Sequence, residues 1–266
     1  MKIAICIKQV LDPDIPTSEL HIDRDQKTVS TPNPSWVINI FDENALETAL
    51  NLRDAVEDSE LTALSFGPET CIESLRKALA MQADHAVLIS DQGIESADSF
   101  TKTKIIAAAL NQLGPFDLIL CGRETADWHG AKLGSFLAEE LGLPCVNFVT
   151  QITKEGENLH LRRQTESGWE ILEISPPAVL TITNDDTNLP RIPKVRDSMT
   201  AFRKEIPTLT LETLNLDVQE LRSNEVLNMT DIFIPESDQQ CLIVEGEDGL
   251  EKAKNLMSKM EELKII

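Results

Sequence analysis

The stretch LILCGRETADWHGAKLG, residues 118–134, decides how this chain is read. An apolar run, Leu118 to Leu120, stops at Cys121 and Gly122, and by Gly134 a helical pattern is under way. Strand, glycine turn and helix start is the order in which open α/β sheets place an anionic group at the carboxyl end of a strand. The question is whether the rest of the chain supplies such a sheet.

It does. Strand-like and helix-like segments alternate over KIAICIKQV (2–10), FDENALETALNLRDAV (41–56), LTALSFG (61–67), ETCIESLRKALAMQA (69–83), HAVLISD (85–91), SADSFTKTKIIAAALNQLG (96–114), DLILCG (117–122) and GAKLGSFLAEELG (130–142). Apolar residues at 45, 46, 49, 50 and 52 have helical spacing, with Asp42 as the expected N-cap. Between the first strand and that helix lies a polar loop expected to hold a small hairpin. The pattern predicts a mostly parallel, doubly wound α/β sheet covered on both faces. From 143 it changes to a meander with turns at Glu155-Gly156 and Ser167-Gly168, then a strand, PPAVLTIT, and a proline-bearing loop that starts a short helix near Ser198. We expect an α/β domain over 1–206, with a loop near 184–200, and a weakly periodic C-terminal arm over 207–266 that ends in an amphipathic helix.

Bulk composition narrows the function. The net charge is −21 with 41% apolar residues, so a core is available and the positive stripe needed for nucleic acid or an anionic membrane surface is missing. Five cysteines (6, 71, 121, 145, 241) form no CxxC, which suggests reduced thiols and neither a disulfide framework nor a metal site. No apolar run approaches the ~20 residues of a membrane helix, and MKIAICIKQV lacks signal or transit character. A cytoplasmic protein is expected.

The strand ends carry the candidate chemistry: CIKQV, SFGP and CGRETAD. Gly122 would free the turn, and Gly130 to Gly134 would allow backbone to approach a phosphate. Thr125 and Ser135 offer hydroxyls, while Lys8, Arg123 and Lys132 would balance phosphate charge. Asp127 suits a ribose hydroxyl and equally suits a helix cap, and the lysines are equally read as solvated surface charges. The spacing is neither GxGxxG nor GxxxxGK[ST]. The histidines His21, His85, His129 and His160 are scattered, and no nucleophile–base pair is evident, so binding is favoured over catalysis.

Collected in order, MKIAICIKQVLD, VINIFDENALETAL, SFGPE, LRKALAMQADHAVLI, DLILCGRETAD with Gly134, LGLP, and PAVLTIT followed by NLPR resemble the β subunits of electron transfer flavoproteins over residues 1 to about 206. DIFIPES, LIVEG and the terminal helix resemble the C-terminal segment of bacterial members that serve amine dehydrogenases. The resemblance implies a Rossmann-related, adenine nucleotide α-hydrolase-like fold in a heterodimer whose α subunit makes most contacts to FAD. It implies AMP bound in this chain, or, in electron-bifurcating members, a second FAD beside which NADH reacts. The positions matching that nucleotide site are Lys8, Gln9 and Val10; Asn39 and Asp42; Phe66, Gly67 and Pro68; and Cys121, Gly122, Arg123, Thr125, Asp127, Gly130, Ala131, Lys132, Leu133, Gly134 and Ser135. Leu11 to Asp14 would help cover the FAD. The segment after NLPR matches the loop that docks flavin dehydrogenases, with Val195 as its apolar anchor among Pro193, Lys194, Arg196 and Met199. Electrons would pass ultimately towards a membrane quinone oxidoreductase.

The sequence departs from the pattern in two places. Ile40 stands where the family has Pro in NPFD, and Trp128, His129 and Lys132 replace Gly, Asp and Gln of the bifurcating pattern GRQAIDGDTAQVGP. Together with NLPR, the latter favours AMP over a second FAD. A free-standing nucleotide hydrolase or stress-type ATP-binding protein of this fold is disfavoured by the missing Walker-like loop and by the arm.

Overall fold

In the computed structural model, which describes residues 1–92, 94, 96–235 and 241–266, the apolar runs become strands buried on both faces. KIAIC forms β1 (Lys2–Cys6). The polar excursion holds β2 (Gln9–Leu11), β3 (His21–Asp23), β4 (Thr28–Ser30) and β5 (Trp36–Ile38). β3 and β4 make the expected hairpin, and β2 pairs with β5. The alternation then runs α1 (Ile40–Ala55), β6 (Glu60–Phe66), α2 (Cys71–Ala80), β7 (His85–Ile89), α3 (Ser99–Leu113), β8 (Leu118–Gly122) and α4 (Leu133–Leu141). The meander is β9 (Cys145–Glu155), β10 (Asn158–Thr165) and β11 (Gly168–Ile174). After it come β12 (Ala178–Ile182), α5 (Val195–Arg203), β13 (Thr208–Leu209), α6 (Val218–Ser223) and α7 (Gly249–Glu262).

Nine strands form one sheet in the order β11-β10-β9-β12-β8-β1-β6-β7-β13. Pairing is parallel from β9 across to β13 and antiparallel only within the meander. The chain moves outward from β1 through β6 to β7, then crosses back to place β8 on the other side of β1. Strand order therefore reverses between β1 and β8, the switch point at whose strand carboxyl ends open α/β sheets place ligands in a crevice. Leu46, Leu50, Leu75 and Leu79 of α1 and α2 pack with Ile3, Ile5 and Leu61 on one face of the sheet. Ile105, Leu110 and Leu137 of α3 and α4 pack with Ala4, Leu64 and Ile119 on the other. Helix ends follow local chemistry: Asp98 caps α3 by accepting the N–H of Thr101 at 2.7 Å, and Gly142, at φ +65°, closes α4.

Three expectations are corrected. α4 begins at Leu133 rather than Gly130, because His129 and Ala131 sit at φ +47° and +48°, which no α-helix accommodates. The N-cap of α1 is Asn39, and Asp42 lies inside the first turn, buried. The stretch read as an arm from 207 stays on the sheet at first: β13 pairs with β7, and Leu211, Leu214 and Leu221 are buried against the α3 side. Its weak periodicity reflects a two-residue strand, a turn and a six-residue helix in quick succession. Beyond Leu221 the described apolar side chains are mostly exposed, and α7 buries none. The Glu236 and Ser237 end of DIFIPES lies outside the described residues.

Candidate functional site

Asp42 is the centre of the crevice. Its Oδ2 accepts the N–H of Lys8 at 2.8 Å, and its Oδ1 accepts the N–H of Gly122 at 2.9 Å. One carboxylate thus ties the ends of β1 and β8 to the start of α1. Burial pushes the Asp42 carboxyl up to about 7, against two backbone donors that favour the charged form. Cys6 and Cys121, in register on β1 and β8, lie beside it; burial raises both thiols, Cys6 to about 12. The unfolded Asp42 carboxyl loses its proton near pH 3.9, well before the folded one. Its contribution to stability is therefore complete below about pH 4 and falls as the pH rises towards 7. Between pH 5 and 8 the wild type should lose about 2.5 kcal/mol more than Asp42→Asn, at ~1.4 kcal/mol per unit. Urea midpoints at the two pH values measure this, and identical losses would mean that Asp42 titrates normally.

Above Asp42 the crevice is closed by polar side chains. Lys8 Nζ reaches Asp127 Oδ2 at 2.5 Å. Burial works to raise Asp127, but hydrogen bonds from Lys8 and Thr125 hold it below the usual carboxylate range. Asn39 is fully buried and staples the 124–126 loop, donating from Nδ2 to the Glu124 carbonyl at 2.8 Å and accepting the Ala126 N–H at 3.0 Å. Arg123 stacks on Phe41 at 4.4 Å, donates to Thr183 Oγ1 at 3.2 Å and pairs with Glu124 at 3.1 Å. Its Nε is buried without a partner. Gln9 exchanges hydrogen bonds with Thr70, linking β2 to the start of α2.

Residues 128–132 are exposed. A Cβ on Gly130 would meet nothing within 4 Å, so this position is open, as a phosphate approach requires. Lys132 is the exposed N-cap residue of α4, and the first-turn N–H groups over Leu133, Gly134 and Ser135 have no partner within the helix. The alternation of left-handed Ala131 with right-handed Lys132 turns successive N–H groups towards one side, a concavity suited to anions.

Other expected residues turn inward. Gly134 is buried, and a Cβ there would lie 2.2 Å from Thr181 Cγ2, so its lack of a side chain serves close packing of α4 on β12. Gly122 likewise admits the start of α1, with Asp42 Oδ1 at 2.4 Å from a built Cβ. Val10 and Cys121 are core side chains, Phe66 packs on the α3 face, and Gly67 extends the ladder to the Ile89 carbonyl. Pro68 is exposed and Ser135 pairs with Cys145.

The segment that the resemblance assigns to docking is largely a helix rather than a loop. Val195 opens α5, 79% exposed, with Met199 one turn on and Phe202 beyond it, both exposed; Pro193 is partly buried, and Lys194 and Arg196 flank Val195 in solvent. Arg76 holds the helix end, donating to the carbonyls of Ala201 and Phe202 at 2.9 Å each. The sequence reading missed what anchors this segment. Arg191 grips buried Glu47 of α1 through its backbone N–H and its guanidinium, with Nε–Oε2 and Nη2–Oε1 at 2.9 and 3.0 Å. Asn188, fully enclosed, donates to the Thr183 carbonyl at 2.9 Å and to Thr48 Oγ1 at 3.2 Å. In the sequence NLPR stands out only through the family resemblance, and nothing local marks Glu47 as the partner of Arg191.

A mostly parallel sheet doubly wound about β1, with polar side chains gathered at its switch point, is a Rossmann-like α/β fold. Residues 27–214 match the electron transfer flavoprotein domain family. The chain is 35% identical over 275 residues, covering 100% of both, to the electron transfer flavoprotein subunit beta of Megasphaera elsdenii. It is 36% identical over 222 residues, 83% of each, to that of Thermoanaerobacterium thermosaccharolyticum. It is 32% identical over 267 residues, 100% of each, to the caffeyl-CoA reductase-Etf complex subunit CarD of Acetobacterium woodii. The chain belongs to the electron transfer flavoprotein family, among the beta subunits. No described helix is long and apolar enough to cross a membrane.

Proposed function

We propose that this chain binds AMP at the β1/β8 crevice and, paired with a larger α subunit that makes most contacts to FAD, carries electrons from flavin dehydrogenases towards a quinone oxidoreductase. The observation that carries the reading is the open 128–132 loop leading into the free first turn of α4, beside the Lys8–Asp127 pair. These residues fit an adenine nucleotide: bare N–H groups and Lys132 for phosphate, Asp127 for a ribose hydroxyl, and a rigid floor at Asp42 and Asn39. The FAD isoalloxazine supplies the redox chemistry. This chain positions AMP, excludes water with Leu11 to Asp14, and offers a surface for the electron donor.

That surface is α5. Ile192, Val195, Met199 and Phe202 are exposed, 91% in the case of Ile192. Between 191 and 204 stand five basic residues and one acidic residue, in a chain of net charge −21. An apolar stripe in a basic collar fits a partner pocket with an acidic rim. The Acetobacterium relative is named for a complex with a CoA-ester reductase, so we infer a flavin enzyme acting on CoA esters as one partner class. Val195→Ala should slow electron transfer from the dehydrogenase about tenfold with flavin content unchanged, and added salt should slow the wild type further. Stopped-flow rates that ignore both would remove α5 from the docking site.

The deciding experiment is to purify the chain with its α partner, denature it and quantify released nucleotides. One FAD and one AMP per heterodimer is expected. Two FAD without AMP would overturn the assignment and place a second flavin in this chain, as in electron-bifurcating members.

A further inference from the structure

The chain beyond α6 shows its apolar side chains to solvent: Val226, Leu227, Met229, Phe233 and Ile234 are all exposed. Its backbone, by contrast, is held. Asp98 does two things at once. Its Oδ1 caps α3 at Thr101, and its Oδ2 accepts the N–H groups of both Val226 and Leu227, each at 2.8 Å. A few residues on, the β3–β4 hairpin takes hold. Arg24 donates to Asp231 through Nε at 3.0 Å and through Nη2, and Lys27, at the hairpin turn, donates to the Met229 carbonyl. Burial works to raise Asp98, but its three backbone donors keep it below the usual carboxylate range; Asp231 is lowered chiefly by its hydrogen bond from Arg24.

Side-chain burial is therefore not what fixes this strip. Polar contacts to its main chain do, and they leave the apolar side chains free. We propose that Asp98 and the β3–β4 hairpin form a clasp that lays residues 226–231 along the body, so that the strip meets its partner already extended. Conformational freedom lost before the encounter does not weaken binding afterwards. That the partner is an α subunit rests on the heterodimer proposed above; the clasp itself is a property of this chain alone.

Asp98→Ser separates the two roles. A serine still caps the Thr101 N–H but is too short to reach the arm. Amide exchange followed by NMR on the full chain, without partner, should show Val226 and Leu227 exchanging at least tenfold faster in the variant, with the first turn of α3 unchanged. Arg24→Asp should move the amide shifts of residues 229–231 towards free-chain values, and adding Asp231→Arg should bring them part of the way back. Equal exchange in wild type and Asp98→Ser would overturn the clasp. Association of Asp98→Ser with the α subunit should be at least threefold slower at an unchanged dissociation rate; faster exchange with an unchanged association rate would overturn the preorganisation. A wild-type chain that binds no α subunit would overturn the heterodimer reading and leave the exchange comparison standing.

Discussion

Arg191→Ala is expected to lower stability by about 3 kcal/mol, the range for breaking a largely buried ion pair by removing one partner. Glu47 is buried on α1, and four donor–acceptor contacts from the Arg191 guanidinium and backbone satisfy it. Arg191 also reaches Asp54 at 3.0 Å, and Asp54 is held below its usual range: burial works to raise it, but hydrogen bonds from Arg53 and Arg191 prevail. Removing the guanidinium leaves one buried carboxylate with a single backbone donor. The urea midpoint should fall at unchanged m. The double variant Glu47→Gln with Arg191→Met should recover much of the loss, because no charge is then stranded. A loss below about 1 kcal/mol would mean the pair behaves as a surface salt bridge. There is a functional corollary. Arg191 is the last fixed point before α5, so its loss should also blunt docking.

This pair shows where sequence reading stops. The α/β alternation was legible because strands buried on both faces read as continuous apolar runs, and α2 shows its stripe through Leu75, Ala78 and Leu79. α1 was legible as a helix but not as a helix buried nearly all round, with Asp42, Asn44, Glu47 and Thr48 enclosed along with Ala45 and Leu46. Most of their partners lie 34 to 144 residues away, which no local pattern encodes, and the buried Asn44 Oδ1 has none. The crevice was legible because glycine turns mark strand ends. The work of each glycine was not, since Gly122 and Gly134 face protein and Gly130 faces solvent. The start of α4 was misplaced because left-handed conformations at His129 and Ala131 have no signature in residue type.

Gly122→Ala should cost about 3 kcal/mol and empty the crevice. A Cβ there would lie 2.4 Å from Asp42 Oδ1, 2.7 Å from Phe41 Cβ and 2.8 Å from the Phe41 carbonyl carbon. Two of these neighbours are difficult to move. Asp42 is tied to the Lys8 N–H, and the start of α1 is stapled through Asn39 to the 124–126 loop. Relief would require shifting α1 away from β8, which gives up the Gly122–Asp42 hydrogen bond and loosens a close-packed face, so the cost exceeds the usual one for a single added methyl. Gly130→Ala is the matching control for the fold. Nothing lies within 4 Å, and stability should change by less than about 0.5 kcal/mol. On the AMP reading proposed above, its nucleotide content should nevertheless drop, because the added methyl would stand where that reading places the phosphate. A Gly130→Ala protein that is stable and fully loaded would move the phosphate away from the 128–132 loop. A Gly122→Ala protein of wild-type stability would mean that α1 and β8 are not held together through Asp42.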